Sequence, residues 1–175
     1  MTTYLLGFLA AIALMSLVWS FSVPLRDASL VDRFWGMGFI VIALAWWWLA
    51  GTPETAWVML IPVLLWGLRL SAHITWRNWG HGEDARYTAM REDRSDFAFA
   101  VRSLVTIFWL QGALVGVIAL PMFASVRGGE PVWALVWLGW AVWLFGFLYE
   151  SIGDWQLARF KADPAHRGQV MDRGL

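Results

Sequence analysis

The sequence predicts an all-α, polytopic integral membrane protein: a helix bundle with about five transmembrane helices in this chain. Of its 175 residues, 59% are hydrophobic and 15% are charged, whereas soluble domains average about 45–50% apolar and about 25% charged residues. Several apolar runs approach the ~20 residues that a helix needs to cross a bilayer. The runs are long and unbroken rather than alternating, which disfavours membrane strands. We therefore expect membrane lipids to surround the chain.

The first three spans are predicted at about residues 4–23, 34–50 and 56–77. The first stops at Pro24 and is interpreted as a retained helix, because no small-residue cleavage site precedes a soluble domain. The second ends in the tryptophan cluster 46–48, which is typical of the headgroup level. Residues 51–54 form a turn of Gly, Thr, Pro and Glu.

The remaining spans are predicted at about residues 97–124 and 132–161, after the long hydrophilic loop 78–96 and the turn 126–131. The last helix leaves its apolar run and continues as a polar helix, and residues 162–175 form a tail that is rich in loop-forming residues. The sequence contains no internal repeats, so residues 1–175 are predicted to form one membrane domain.

Basic residues predict the orientation of the spans. Of the 13 Lys and Arg residues, 11 fall on one face of a five-span topology, Arg127 falls on the other, and Arg69 lies inside the third span. Cytoplasmic loops carry the excess of basic residues. The N-terminus is therefore predicted outside, and the long loop and the C-terminal tail in the cytoplasm.

Composition also excludes some functions. The formal net charge is zero, so no basic excess indicates a nucleic-acid partner. The chain has no cysteine, which excludes disulfides, Cys-ligated metals and a thiol nucleophile. His73, His81 and Glu83 match no known zinc spacing, so no metal site is predicted.

The polar end of the last helix carries one candidate site. Glu150, Asp154, Leu157 and Lys161 follow the spacing i, i+4, i+7, i+11, which places them on one helix face. This stripe is either a hydrogen-bonding ladder for a polar ligand such as a nucleotide or an ordinary amphipathic extension at the membrane interface.

The third span carries a second candidate set. Arg69, His73 and Arg77 share a face at i, i+4, i+8. Ionisable groups inside membrane helices are costly, and they usually face a cavity or a partner. Arg69 and Arg77 therefore line a pocket for an anion such as phosphate, or Arg69 extends its charged end to the cytoplasmic interface.

Asp32 and the long loop supply the other candidates. Near a helix start, Asp32 serves as an N-cap or interacts with the helix dipole; in a closed cavity burial would favour its protonated form, which is a proton donor. Glu83, Asp84 and Arg86 form either a solvated charge run or a site, and Tyr87 packs at the interface.

Several motifs resemble a known family. These are R-N-W-G-H-G-E-D-A-R-Y at residues 77–87, with the preceding W-G-L-R-L-S-A-H-I-T-W, the link S-L-V-D-R-F-W-G at 29–36, and Y-E-S-I-G-D-W-Q-L-A-R-F-K at 149–161. Together they resemble the DUF1295 group of bacterial membrane proteins, which is similar to the steroid 5-alpha-reductase C-terminal family. The resemblance covers nearly the whole chain, so a multi-pass protein of the bacterial inner membrane is expected.

The resemblance implies an NADPH-dependent oxidoreductase that reduces a C=C bond in a hydrophobic, enone-like or sterol-like lipid within a cytoplasm-facing cavity. Asp32 is the nearest counterpart of the family's catalytic acid on the second helix, and Tyr87 would replace, from the loop, a tyrosine that Ile74 does not supply. The residues implied to hold NADPH are Arg69, Arg77, Glu83, Asp84, Arg86, Glu150, Asp154 and Lys161. Glu150 and Lys161 depart from the Asn and Arg of the family pattern.

Two alternatives stay open. The same superfamily borders on isoprenylcysteine methyltransferases, which use S-adenosylmethionine in a similar cavity. A non-catalytic membrane subunit is the other, since the small-residue step Gly112/Gly116 suits lateral contacts with a protein partner. The resemblance further implies a truncation, because family members continue past Gly174 and Leu175 into a motif that completes the nucleotide site.

Overall fold

A computed structural model describes residues 1–126 and 129–175. They form two compact units, Met1–Glu130 and Pro131–Leu175, called here the first and the second unit. The first unit contains α1 (Thr2–Leu25), α2 (Leu30–Leu49), α3 (Trp57–Arg77), α4 (Ala85–Arg91), α5 (Asp96–Ser103), a π-helical stretch (Leu104–Trp109), α6 (Leu110–Ile118) and α7 (Leu120–Val126). The second contains α8 (Trp133–Ala162) and a 3-10 turn, Pro164–His166.

The predicted fold class is confirmed. The described residues contain helices and no strand. In the part of the chain that the structure describes, five helical segments are long and apolar enough to cross a membrane: Thr2–Leu25, Leu30–Leu49, Glu54–Arg77, Asp96–Ile118 and Trp133–Ala162. The orientation of the termini and the single membrane domain over residues 1–175 stay predictions. Arg127, the basic residue assigned to the outer face, lies outside the described residues, as does part of the predicted turn 126–131.

Two predicted boundaries differ from the structure. The second helix begins at Leu30 rather than near residue 34, so Asp32 lies inside its first turn. The fourth segment is not one continuous α-helix, because a π-helical stretch separates α5 from α6 and a break at Ala119 separates α6 from α7. The break is explained by Pro121, which has no N–H to donate to the preceding turn.

The hydrophilic loop 78–96 contains a helix that the sequence analysis did not predict. This helix, α4, begins after Asp84, whose side chain accepts a hydrogen bond from the backbone N–H of Arg86. An aspartate before a helix is a favoured N-cap. The part of the loop that follows the cap is therefore ordered as seven helical residues.

The core of the first unit forms around α2, which packs against α1, α3, α6 and α7. At one end Trp46 is fully buried, and its indole N–H donates to the backbone oxygen of Tyr4 at 3.2 Å. Trp46 is therefore a core residue, whereas Trp48, with 72% of its surface exposed, keeps the position expected of an interface tryptophan. A second buried cluster, around Met15, Tyr87 and Phe108, lies at the other end.

Glycines allow neighbouring helices of the first unit to pack closely. A Cβ on Gly36 of α2 would lie 2.5 Å from the backbone oxygen of Gly67 on α3. Gly112 and Gly116 of α6 face Ile12 and Phe8 of α1, so the small-residue step that the sequence suggested for an outside partner packs within the chain.

The second unit consists of α8 and the tail that follows it. The tail folds back on the helix: the His166 ring stacks on Phe160 with centroids 4.2 Å apart, and the backbone N–H of Leu175 donates to the Gln156 side chain at 2.9 Å. Residues 162–175, predicted as loop, thus include one short 3-10 turn.

We predict that Gly36→Ala destabilises the protein by about 1–3 kcal/mol, the usual cost of overpacking. The atom nearest the new methyl group would be the backbone oxygen of Gly67, which cannot rotate away as a side chain can. Gly139→Ala is the matched control, since a Cβ at this α8 position would meet no atom within 4 Å. Thermal unfolding in detergent measures both variants. Equal melting temperatures for the two would contradict the close α2–α3 contact.

The absence of cysteine allows a direct test of the predicted orientation. Asp93 and Glu54 are both exposed and flank α3, with Glu54 just before the helix and Asp93 well beyond its end. In intact bacterial cells, a membrane-impermeant maleimide should label Glu54→Cys and should label Asp93→Cys only after lysis. The reverse labelling pattern would invert the topology.

Candidate functional site

The candidate site lies at the polar end of the first unit, formed by the α1–α2 turn (residues 26–29), the first turn of α2 and residues 78–95. Here the Tyr87 hydroxyl donates to Asp32 Oδ1 at 3.1 Å. Arg86 Nη2 donates to the other oxygen, Asp32 Oδ2, at 3.0 Å. Asp32 therefore joins α2 to both a phenol and a guanidinium of α4.

The segment before α4 is docked onto the α1–α2 turn by the Glu83 carboxylate and by the backbone of Asp84. The Glu83 carboxylate accepts the backbone N–H of Ala28 at 2.8 Å and two N–H groups of Arg91 at 2.8 and 3.1 Å. The backbone N–H of Asp84 donates to the hydroxyl of Ser29, which is buried, at 2.7 Å. These bonds fix the start of α4 over α2 and so place Tyr87 against Asp32.

Arg91 extends this anchor into the apolar core. Its guanidinium lies 4.0 Å from the centre of the Phe99 ring, within the range of a cation–π contact. The Arg91 and Glu83 side chains are only 19% and 9% exposed. A bidentate ion pair that is largely removed from water holds a more defined geometry than a surface pair.

Tyr87 is buried, with 7% of its surface exposed, in the cluster that includes Met15, Val31 and Phe108. Burial raises the pKa of Tyr87, and the adjacent Asp32 carboxylate raises it further. The phenol is therefore protonated at neutral pH and available as a hydrogen-bond donor. Its ring anchors α4 to the core while its hydroxyl faces Asp32.

Asp84 combines a capping role with charge pairing. Hydrogen bonds from the side chain and backbone N–H of Arg86 lower the pKa of Asp84, and the positive charge of Arg77 lowers it further. The Asp84 cap is thus ionised throughout the neutral range. The same pairing raises the pKa of the Arg86 guanidinium, first through Asp84 and then through Asp32.

The structure brings together five of the residues predicted from sequence: Asp32, Tyr87, Asp84 and Arg86 by direct hydrogen bonds, and Arg77 through its charge. Glu83 is in the same segment, but its bonds are to Ala28 and Arg91. Arg69 is half-buried on α3, two helical turns before Arg77. Glu150, Asp154 and Lys161 lie on α8 in the second unit, and helical periodicity places them on one face. Their roles in binding a cofactor stay predictions.

Sequence reasoning missed Ser29 and Arg91. Asp84 before an Ala-Arg-Tyr run was a local signal for the helix, since aspartate is among the strongest N-cap residues. No comparable signal identified Arg91 as the partner of Glu83, because that pairing forms only once α4 is helical and docked.

Chemically, the site offers a protonated phenol, a carboxylate and a guanidinium in one hydrogen-bonded group. A phenol held by a carboxylate polarises a carbonyl oxygen or exchanges a proton with it. Arg86 is 67% exposed at the side chain, so its remaining N–H groups are accessible to an anionic ligand.

We predict that Glu83→Ala destabilises the protein by about 1.5–3 kcal/mol, the range for a lost hydrogen bond to a charged group, since it leaves Arg91 and the Ala28 N–H without their acceptor. Arg91→Ala should cost a similar amount, and the double variant much less than the sum of the two. Asp93→Ala, at an exposed position of the same loop, is the control. Additive losses in thermal unfolding would show that the two side chains are not coupled.

Comparison with known proteins places the chain in a family. Residues 18–175 match the model of a family described as "Protein of unknown function (DUF1295)". No curated protein and no solved structure matches the chain. The family match spans both units, from α1 through the end of the tail, and it includes every residue of the candidate site. The chain therefore belongs to the DUF1295 family.

Proposed function

We propose that this protein is a membrane-embedded oxidoreductase that reduces a C=C bond conjugated to the carbonyl of a hydrophobic lipid, with NADPH as the reductant. The observation that carries the proposal is the 3.1 Å hydrogen bond from Tyr87 to Asp32, two residues far apart in sequence. A donor for a carbonyl oxygen at the end of a membrane helix bundle suits a lipid enone, which would reach it from the bilayer.

Tyr87 has the main chemical role in this proposal. Its protonated phenol donates to the carbonyl oxygen, which makes the β-carbon of the enone more electrophilic. Asp32 accepts from the phenol between turnovers and holds its orientation, and Arg86 balances the Asp32 charge. NADPH, if held at its phosphates by Arg77 and Arg86, would supply a hydride, that is, two electrons, to the β-carbon. The phenol passes its proton to the enolate oxygen and is reprotonated from solvent. The enol then takes a solvent proton at the α-carbon and loses the proton on oxygen, which gives the saturated ketone.

The residues of the chain are compatible with NADPH in two respects. Arg86 is an exposed cation bonded to Asp32, and Arg77 is an exposed cation whose charge acts on Asp84; both are suited to phosphate oxygens. Within the second unit, Glu150, Asp154 and Lys161 follow one face of α8, and the family resemblance alone suggests them as nucleotide ligands. The excess of basic residues in the long loop and the tail supports a cytoplasmic position for these groups, where NADPH is found.

The test uses the purified full chain in nanodiscs, with cholestenone as the enone and NADPH oxidation as the readout. Tyr87→Phe and Asp32→Asn should each lower kcat by about 100-fold or more, the usual contribution of a proton donor. NADPH should still raise the melting temperature of both variants, because neither residue is proposed to hold the nucleotide.

Tyr4→Phe is the matched control. Its hydroxyl donates to the Gly116 backbone oxygen at 3.3 Å, within the first unit but away from Asp32, so activity should be unchanged. Wild-type protein that is neither stabilised by NADPH nor active would overturn the proposal. Stabilisation by S-adenosylmethionine alone would favour the methyltransferase alternative, and stabilisation by neither ligand would favour a non-catalytic membrane subunit.

A further inference from the structure

A groove in two lobes follows α2 and α3 at the polar end. The inner lobe, about 670 Å³, is apolar, with walls from Phe34 and Met37 of α2 and Leu68 and Ala72 of α3. The outer lobe, about 480 Å³, is lined by polar groups that include Arg26 and His81. Arg33 and Trp79 line both lobes, so the two adjoin at these side chains.

The cations in the groove keep free hydrogen-bonding capacity. Asp27 contacts Arg33 only through Nη2, at 3.1 Å, while a guanidinium has five N–H donors. Among the described residues, Arg33 Nε and Ser71 Oγ, on the two walls, are buried without a hydrogen-bond partner. A buried donor without an acceptor costs free energy. A ligand oxygen that met Arg33 or Ser71 after a small side-chain shift would remove that cost.

The acids that line the outer lobe are already engaged. Asp27 accepts from Arg33 and from the backbone N–H of Ser29. Glu83 accepts from Arg91 and from Ala28. Arg26 is paired with Asp96 and Arg33 with Asp27, but both guanidiniums keep further N–H donors. Donors beside engaged acids suit the phosphate oxygens of an anion.

The order of the two lobes matches an amphiphile placed in a bilayer. The apolar lobe lies between membrane helices, and the cationic lobe lies beyond them at the loop. Trp76 and Trp79 flank the groove with 65% and 75% of their surfaces exposed, as is typical of residues at the headgroup level. A free phosphate would leave the apolar lobe without a role, and a zwitterionic lipid would add no net charge to pair with the cations.

We propose that this groove is a binding site for one anionic glycerophospholipid, with an acyl chain against Phe34, Met37 and Leu68 and the phosphate at Arg33. Among the described residues that line the lobes, neither Asp32 nor Tyr87 occurs. The site is therefore separate from the proposed reductase chemistry, and each proposal can fail without the other.

Native mass spectrometry of the full chain, released from detergent with phosphatidylglycerol or phosphatidylcholine, tests the site. The wild type should retain one phosphatidylglycerol in preference to phosphatidylcholine. Arg33→Gln should reduce that preference about fivefold, the value of one basic side chain near a lipid surface. Ala72→Trp, which fills the apolar lobe without altering a charge, should abolish retention of phosphatidylglycerol even if Arg33→Gln fails to fold.

Val117→Trp is the matched control, because Val117 is an exposed apolar residue of α6 that does not line the groove. It should bind lipid like the wild type. Equal retention of both lipids, unchanged in Ala72→Trp, would indicate only non-specific lipid around the helices and would overturn the proposal. If glycerol phosphate stabilised the protein as much as phosphatidylglycerol, the groove would recognise a free phosphate rather than a lipid. That result would also overturn the proposal.

Discussion

The Glu83 carboxylate holds the polar end of the first unit in place by accepting from the Ala28 backbone and from Arg91 at the same time. The helix it anchors, α4, has only seven residues, and isolated helices of that length are marginal in water. The position of Tyr87 therefore depends on docking rather than on the helix propensity of α4. Without the anchor, Asp32 would face water instead of a phenol.

The apolar half of Tyr87 links this anchor to the membrane helices. Its ring belongs to the buried cluster that contains Met15 of α1 and Phe108 of the π-helical stretch. A π-helical stretch changes the register of the residues that follow it and often occurs near functional sites. Here it packs against α1, and Trp109 at its end donates to the Ser16 hydroxyl at 2.9 Å. The geometry of the site thus rests on α1 as well as on the loop.

The sequence predicted the spans because long apolar runs are a local property that tertiary contacts rarely change. Asp32 was a candidate from its place at a helix start, and the catalytic role of Tyr87 came from family resemblance; no pattern within the chain predicted that they would touch. Their contact depends on hydrogen bonds of Ser29, Glu83 and Arg91. These bonds form only once the loop has folded onto the α1–α2 turn, so no local sequence pattern predicts them. Gly112 and Gly116 show the reverse error: the small-residue motif was recognised, but its partner proved to be α1 of the same chain.

The first turn of α2 places two different chemistries on adjacent residues. Asp32 bonds to α4, while Arg33 lines the groove beside α3. A continuous set of hydrogen bonds joins them: Arg33 donates to Asp27, Asp27 accepts the Ser29 N–H, and the Ser29 hydroxyl accepts the N–H of Asp84 at the start of α4. The Asp27–Ser29 turn therefore supports both Arg33 and the residues that position Tyr87. The proposed lipid site and the phenol thus use different side chains that are held in place by the same short turn.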